Sequence, residues 1–142
     1  MKDINSPLLK AYYNVINNLD IKVYEGEEPD NVNDKIYVVL SNITSNETST
    51  KNSIDHNVTI QVSVHSWEYK YNNSKNLNDA VGIILDAIKP TSNSVLDLSE
   101  FDLEMLNLTK QSDTTQNLGN LNGRVYISRI LVFKQDIFEI NN

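Results

Sequence analysis

Cysteine is absent from this chain of 142 residues, glycine occurs four times, proline three times and tryptophan once. Each shortage removes a class of explanation. Without cysteine there is no disulfide framework, no thiolate metal site and no cysteine nucleophile. Four glycines form no phosphate-cradling loop, and Gly119 and Gly123 in "GNLNG" have the spacing of a hairpin turn instead. No apolar run approaches the roughly 20 residues of a membrane-spanning helix. The N-terminus shows no apolar leader, so the chain is expected to be made and used in the cytosol. Basic residues are also few, 12 against 19 acidic ones for a net charge of −7. They are scattered, which argues against a sequence-independent grip on nucleic-acid phosphates.

What is present is asparagine, at about one residue in seven. Five Asn-x-Ser/Thr triplets, at Asn42, Asn46, Asn57, Asn72 and Asn107, follow from that richness. Without an export signal they do not indicate glycosylation. The length suits one hydrophobic core, so residues 1–142 are expected to form a single domain.

Along the chain, Ser6 and Pro7 suit an N-cap and first helical position, and Leu8, Leu9, Tyr12, Val15, Ile16 and Leu19 recur at helical spacing. A helix is expected from about Pro7 to Asn18. "IKVYEG" reads as a short strand leading into the acidic loop "GEEPDNVND", and "KIYVVLSNIT" as a central strand covered on both faces. "SNETSTKNSID" offers nothing to a core and is expected to be a mobile polar arm over about residues 44–56. In "NVTIQVSVHSW", Val58, Ile60, Val62 and Val64 alternate with Thr59, Gln61, Ser63 and His65, the pattern of a strand with one wet face. Trp67 is expected to break that alternation where the chain leaves the sheet.

Leu77, Val81, Ile84, Leu85 and Ile88 then mark a second helix, stopped by Pro90. "FDLEMLNLTK" alternates and then shifts register, which suggests a bulge. "NLGNLNG" supplies a turn, and "RVYISRILVFK" is the final strand. The order α-β-β-β-α-β-β predicts an α+β fold. It is an antiparallel or mixed β-sheet of about five strands with two helices packed on one face.

Chemistry-bearing constellations are weak. His56 and His65 lie at strand spacing with no HExxH helix and no Cys partner, which gives no metal signature, and no cofactor is expected. Nothing resembles the GxSxG elbow of a serine hydrolase. The acidic group Glu25, Glu27, Glu28, Asp30 and Asp34 lacks the alternating oxygens and central glycine of a calcium loop, and reads as a solvated turn. Trp67, Tyr69 and Tyr71 sit at alternate positions, a spacing that can stack sugars or bases. With only Lys70 and Lys75 nearby, it fits packing over a sheet end or a subunit interface better. No catalytic residue is assigned.

The segment order, together with the "VSVHSWEYKYNNSKNLNDAVGIILDAI" junction, resembles the tail completion, or tail terminator, proteins of long-tailed phages. The parts that carry the likeness are the "PLLKAYY" helix, the "VY" strand at Val23 and Tyr24, the "YVVL" strand and the strand ending in Ser66 and Trp67. The helix over Leu77 to Ile88 and the last strand "RVYISRILVF" complete it, so most of the chain is covered. The chain departs from the pattern in its extended "TSNETSTKNSID" connection and in the long link from Ile88 to Phe101.

The resemblance implies a non-enzymatic ring, a hexamer or dodecamer, at the head–tail junction of a virion, assembled in the host cytoplasm. Such a ring stops tube growth, contacts tail tube and portal or connector proteins, and lets DNA pass without binding it or a membrane. On that reading Asn46, Thr48, Thr50, Lys51, His65, Trp67 and Tyr69 are expected at the subunit interface. Glu25, Glu27, Glu28 and Asp30 are expected to face the DNA. The competing class is a small cytosolic enzyme or ligand-binding domain with a pocket between the second helix and the sheet.

Overall fold

An apolar stripe of Leu8, Ala11, Tyr12 and Ile16 folds the first segment into α1, Asn5–Asn17, and buries one face of it. The helix starts two residues earlier than the sequence pattern suggested. Asp3 Oδ1 accepts the Asn5 N–H at 3.0 Å, so Ser6 and Pro7 fall inside the first turn. Proline costs little there, because a first-turn N–H has no helical partner to lose. The computed structural model describes residues 1–27, 34–69 and 73–140.

Three strands follow, β1 (Lys22–Glu25), β2 (Ile36–Glu47) and β3 (Asp55–Tyr69), and then α2 (Asn73–Ile88). After a link with a 3₁₀ turn at Ser99–Phe101 come β4 (Leu103–Met105), β5 (Thr109–Leu121) and β6 (Arg124–Glu139). The sheet order is β1-β2-β3-β6-β4, with β5 also paired to β6. Only β1 and β2 run parallel; every other pairing is antiparallel, so the sheet is mixed and curls into a half-barrel.

Two of these strands complete a sheet of six where about five were expected, because "FDLEMLNLTK" splits in two. Met105 opposes Ile137 and Thr109 opposes Lys134, so four steps on one strand match three on the other. The irregularity expected there is real, and it is held by Asp136. Leu106 N–H donates to its carbonyl at 2.8 Å, while Asn107 donates to its carboxylate at 2.7 Å and accepts its backbone N–H at 2.9 Å.

The ribbon of β3 and β6 is the backbone of the molecule, pairing continuously from Asp55 with Phe138 to Tyr69 with Arg124. Strand parity sends Val58, Ile60, Val62 and Val64 to the same side as Leu131, Phe133 and Ile137. All seven are buried there under the helices, packed with Leu77, Val81, Ile84 and Ile88 of α2 and the stripe of α1. The α2–sheet boundary that the enzyme reading needs as a pocket is thus occupied by these side chains.

Buried polar groups on this side are paired, as burial demands. Tyr12 Oη donates to Gln135 Oε1 at 2.6 Å, and Gln135 Nε2 donates to the Val58 carbonyl at 2.8 Å. Burial of Tyr12 pushes its hydroxyl far above the ordinary tyrosine range, so it stays a neutral donor. At the other end, His56 Nε2 lies 2.8 Å from Glu139 Oε2, and the Lys2 backbone N–H donates to Glu139 Oε1 at 3.1 Å. Both side chains are buried. Burial alone would raise the Glu139 carboxyl, but these hydrogen bonds and the nearby N-terminal charge hold it below its ordinary value. The pair ties both chain ends to the start of β3.

Candidate assembly surface

The face of the sheet turned away from the helices carries the one aromatic cluster that the sequence hinted at. Here His65 stands between Tyr37 on β2 and Ser128 on β6, while Trp67 stands opposite Tyr126. Tyr37 stacks on His65 with ring centres 4.9 Å apart, and Tyr126 stacks on its other side at 5.7 Å. Trp67 meets Tyr126 edge-on at 5.5 Å, and Tyr24 meets Tyr37 in the same way at 6.0 Å. A hydrogen-bond chain links them: Tyr37 Oη to Tyr126 Oη at 2.8 Å, Tyr126 Oη to His65 Nδ1 at 3.1 Å, and His65 Nδ1 to Ser128 Oγ at 2.7 Å.

Trp67 therefore does not break the strand. β3 continues to Tyr69, and Trp67 keeps the wet-side register of His65 two residues earlier. The His65–Ser128 contact has the distance of a nucleophile and base, yet Ser128 is only 1% exposed and offers no access to a substrate. What the geometry builds is a stacked, hydrogen-bonded patch that stiffens four strands.

The other expected interface residues sit elsewhere. Asn46 lies in β2 opposite Asn57. Thr48, Thr50 and Lys51 form the tip beyond it, and the described side chains there are exposed. The segment expected as a polar arm is a β-hairpin extension. Thr48 N–H donates to the Asp55 carbonyl at 2.8 Å, Thr50 N–H donates to the Ser53 carbonyl at 3.0 Å, and the Thr50 and Ser53 hydroxyls meet at 2.8 Å. A register shift between Ser41 and Thr44, with Asn42 at φ 51°, bends this hairpin relative to the rest of β2. Eight residues of strand separate Asn57 from His65, roughly 26 Å at ~3.3 Å per residue. The predicted interface thus divides into an exposed hairpin and a half-buried aromatic patch. Tyr69 is placed by its backbone, opposite Arg124.

Of the acidic loop, Glu25 ends β1 and Glu27 follows it, both exposed; Glu28 and Asp30 lie outside the described residues. Tyr24 Oη donates to Asp34 Oδ2 at 3.2 Å, which closes the base of the loop. No group of three or more His, Cys, Asp or Glu side chains is placed to hold a metal among the described residues. No helix among them is long and apolar enough to cross a membrane.

Sequence reasoning missed β5. Thr109–Leu121 is exposed at every position but Asp113, and among the described residues it pairs with β6 alone, so its outer backbone edge is open. It is fastened by charge. Arg129 Nε donates to Asp113 Oδ1 at 3.0 Å, its Nη2 donates to Asp113 Oδ2, and its Nη1 donates to Asn78 Oδ1 on α2 at 3.2 Å. The Arg129 hydrogen bond holds the Asp113 carboxyl below its ordinary range against the opposing effect of burial, and Lys110 adds to it at 3.0 Å. The arginine that interrupts the apolar registers of β6 is the sequence signal that a charged neighbour lies beside it.

No protein-family model matches the chain, and no curated protein does. Among solved structures, a chain of the virion of native gene transfer agent (GTA) particle shares the architecture. It is 15% identical, with a TM-score of 0.70, over 97% of this chain and 99% of that one. At that identity the likeness is one of fold, and it extends over essentially the whole of both chains.

Proposed function

We propose that this chain is a structural virion protein that closes into a ring at the head–tail junction, where it caps the tail tube, joins it to the portal or connector and lets DNA through. The observation that carries the reading is the end-to-end likeness to a chain of a virion particle, with no large insertion on either side. The open edges support it. β1 and β5 bound the sheet, and an unpaired strand edge can add a strand from a neighbouring copy. Repeating one such contact with a closing rotation gives a ring. The net charge of −7 suits a lumen through which DNA phosphates slide without sticking, and Glu25 and Glu27 are the exposed carboxylates assigned to its wall.

Light scattering over a concentration series, followed by negative-stain imaging, tests the reading. Annular particles with a mass that is a multiple of the 16.2 kDa chain are expected. In a chain with no native cysteine, gold bound to Glu27→Cys should decorate the inner rim. A monomer at every concentration that also fails to add to purified tail tubes would overturn the proposal. Gold on the outer rim would remove the lumen assignment alone.

A further inference from the structure

Two apolar surfaces remain uncovered, one at each end of β6. The first is the tip of the β5–β6 hairpin, where Leu118 and Leu121 are 49% and 60% exposed beside the Asn122–Gly123 turn. The second is a groove of about 410 Å³ between the 95–99 link, β4 and the residue after β6. Val95, Leu96, Leu98, Leu103, Met105 and Ile140 line it. That volume lies within the ~300–1,000 Å³ range of sites that enclose apolar groups. Val95 is 41% exposed, so the groove opens to solvent through an apolar lip.

Charge divides the same way. From Thr114 to Gln135 the sequence contains Arg124, Arg129 and Lys134 but no acidic residue, in a chain that has 19. From Val95 to Met105 it contains Asp97, Glu100, Asp102 and Glu104 but no basic one. Within the chain, Lys10 counters Glu100 and Lys2 counters Asp102. Asp97 and Glu104 line the groove, and no ion pair among the described residues engages either of them. The tip is thus an apolar knob on an acid-free hairpin, and the groove is an apolar hollow with an acidic rim.

One chain cannot join its own two surfaces. β6 runs 16 residues from the tip to the groove, roughly 50 Å at ~3.3 Å per residue, and both ends are fixed in the sheet. We infer that the occupant of the groove is the hairpin tip of a second copy, with Leu118 and Leu121 seated on its apolar floor and Arg124 facing Asp97 and Glu104. The contact is head-to-tail, because knob and hollow are different patches, and head-to-tail contacts propagate until a rotation closes them. The inference deepens the ring reading and rests on it.

Disulfide trapping tests it cleanly in a chain without cysteine. Val95→Cys and Leu121→Cys in one chain should give a ladder of covalent oligomers under mild oxidation, while each single variant stays monomeric on a non-reducing gel. Leu118→Asp with Leu121→Asp should weaken association on the order of tenfold or more per leucine without moving the thermal unfolding of the monomer. No ladder from a wild-type chain that forms rings would overturn the docking and leave the ring standing. A ladder that ends at a dimer means a two-fold pair and overturns it too, as does self-linkage of Leu121→Cys alone. A wild-type chain that never assembles removes the ring reading and this contact together.

Discussion

β6 has two long neighbours, and they could hardly differ more. β3 is 15 residues with an apolar side at 0% exposure from Val58 to Val64, while β5 is 13 residues of Thr, Gln, Asn, Ser and Lys exposed almost throughout. Both run antiparallel to β6 in nearly full register. One strand exists because it buries side chains and the other because its neighbour offers a ladder of unpaired backbone groups. A polar edge also protects the sheet from indiscriminate pairing, which reserves adhesion for the leucines at the hairpin tip.

The largest test of this contrast is truncation on each side of β6. Ile60→Ala should cost about 2–5 kcal/mol, since Ile60 is fully buried under the helices, whereas Thr114→Ala on β5 should stay within about 0.5 kcal/mol. Urea unfolding of both variants decides it, and equal losses would mean that β5 is covered in the monomer.

Next in size is His56→Ala, which leaves buried Glu139 without its side-chain donor and should cost about 1–3 kcal/mol. Because the folded state holds the Glu139 carboxyl below its ordinary value, its contribution is present above the unfolded pKa of about 4.3 and is lost as pH falls through the folded one. Acid unfolding of the wild type should therefore be steeper than that of the variant. Some slope should persist in both from Asp113 and Asp136, whose carboxyls are likewise held low. Identical acid limbs would remove the pair from the account.

The smallest effect is expected at the β5–β6 turn. Asn122 and Gly123 both have positive φ, 53° and 79°, as a type I′ hairpin turn requires, and a Cβ at Gly123 would meet nothing within 4 Å. Gly123→Ala should then cost about 1 kcal/mol through the backbone alone. The same change should not alter hydrogen exchange in β3, and faster exchange there would show the two neighbours of β6 to be coupled.

Legibility followed burial. The valines of β3, the periodic stripe of α2 and the stop at Pro90 are local patterns, and the element order read from them matches the fold. β5 left no such pattern, because a strand held by backbone pairing and an Asp113–Arg129 clasp needs no apolar alternation. Trp67 was misplaced for a related reason. A large aromatic after a polar run looks like a strand end, whereas opposite Tyr126 it continues the wet face. His56 did carry a signal that composition hides: it shares the even register of Val58, Ile60, Val62 and Val64, so a side chain that points into the core there must find a partner.

By itself the sequence determined the elements that bury apolar side chains, the exclusion of cysteine chemistry, and the acidic balance, because periodicity, composition and charge are properties of the chain taken locally. Tertiary structure alone decided that His56 would meet Glu139 from 83 residues away, that four strands would assemble one aromatic stack, and that the knob and hollow would stand at opposite ends of β6. Such meetings depend on strand register and order, which no single segment encodes.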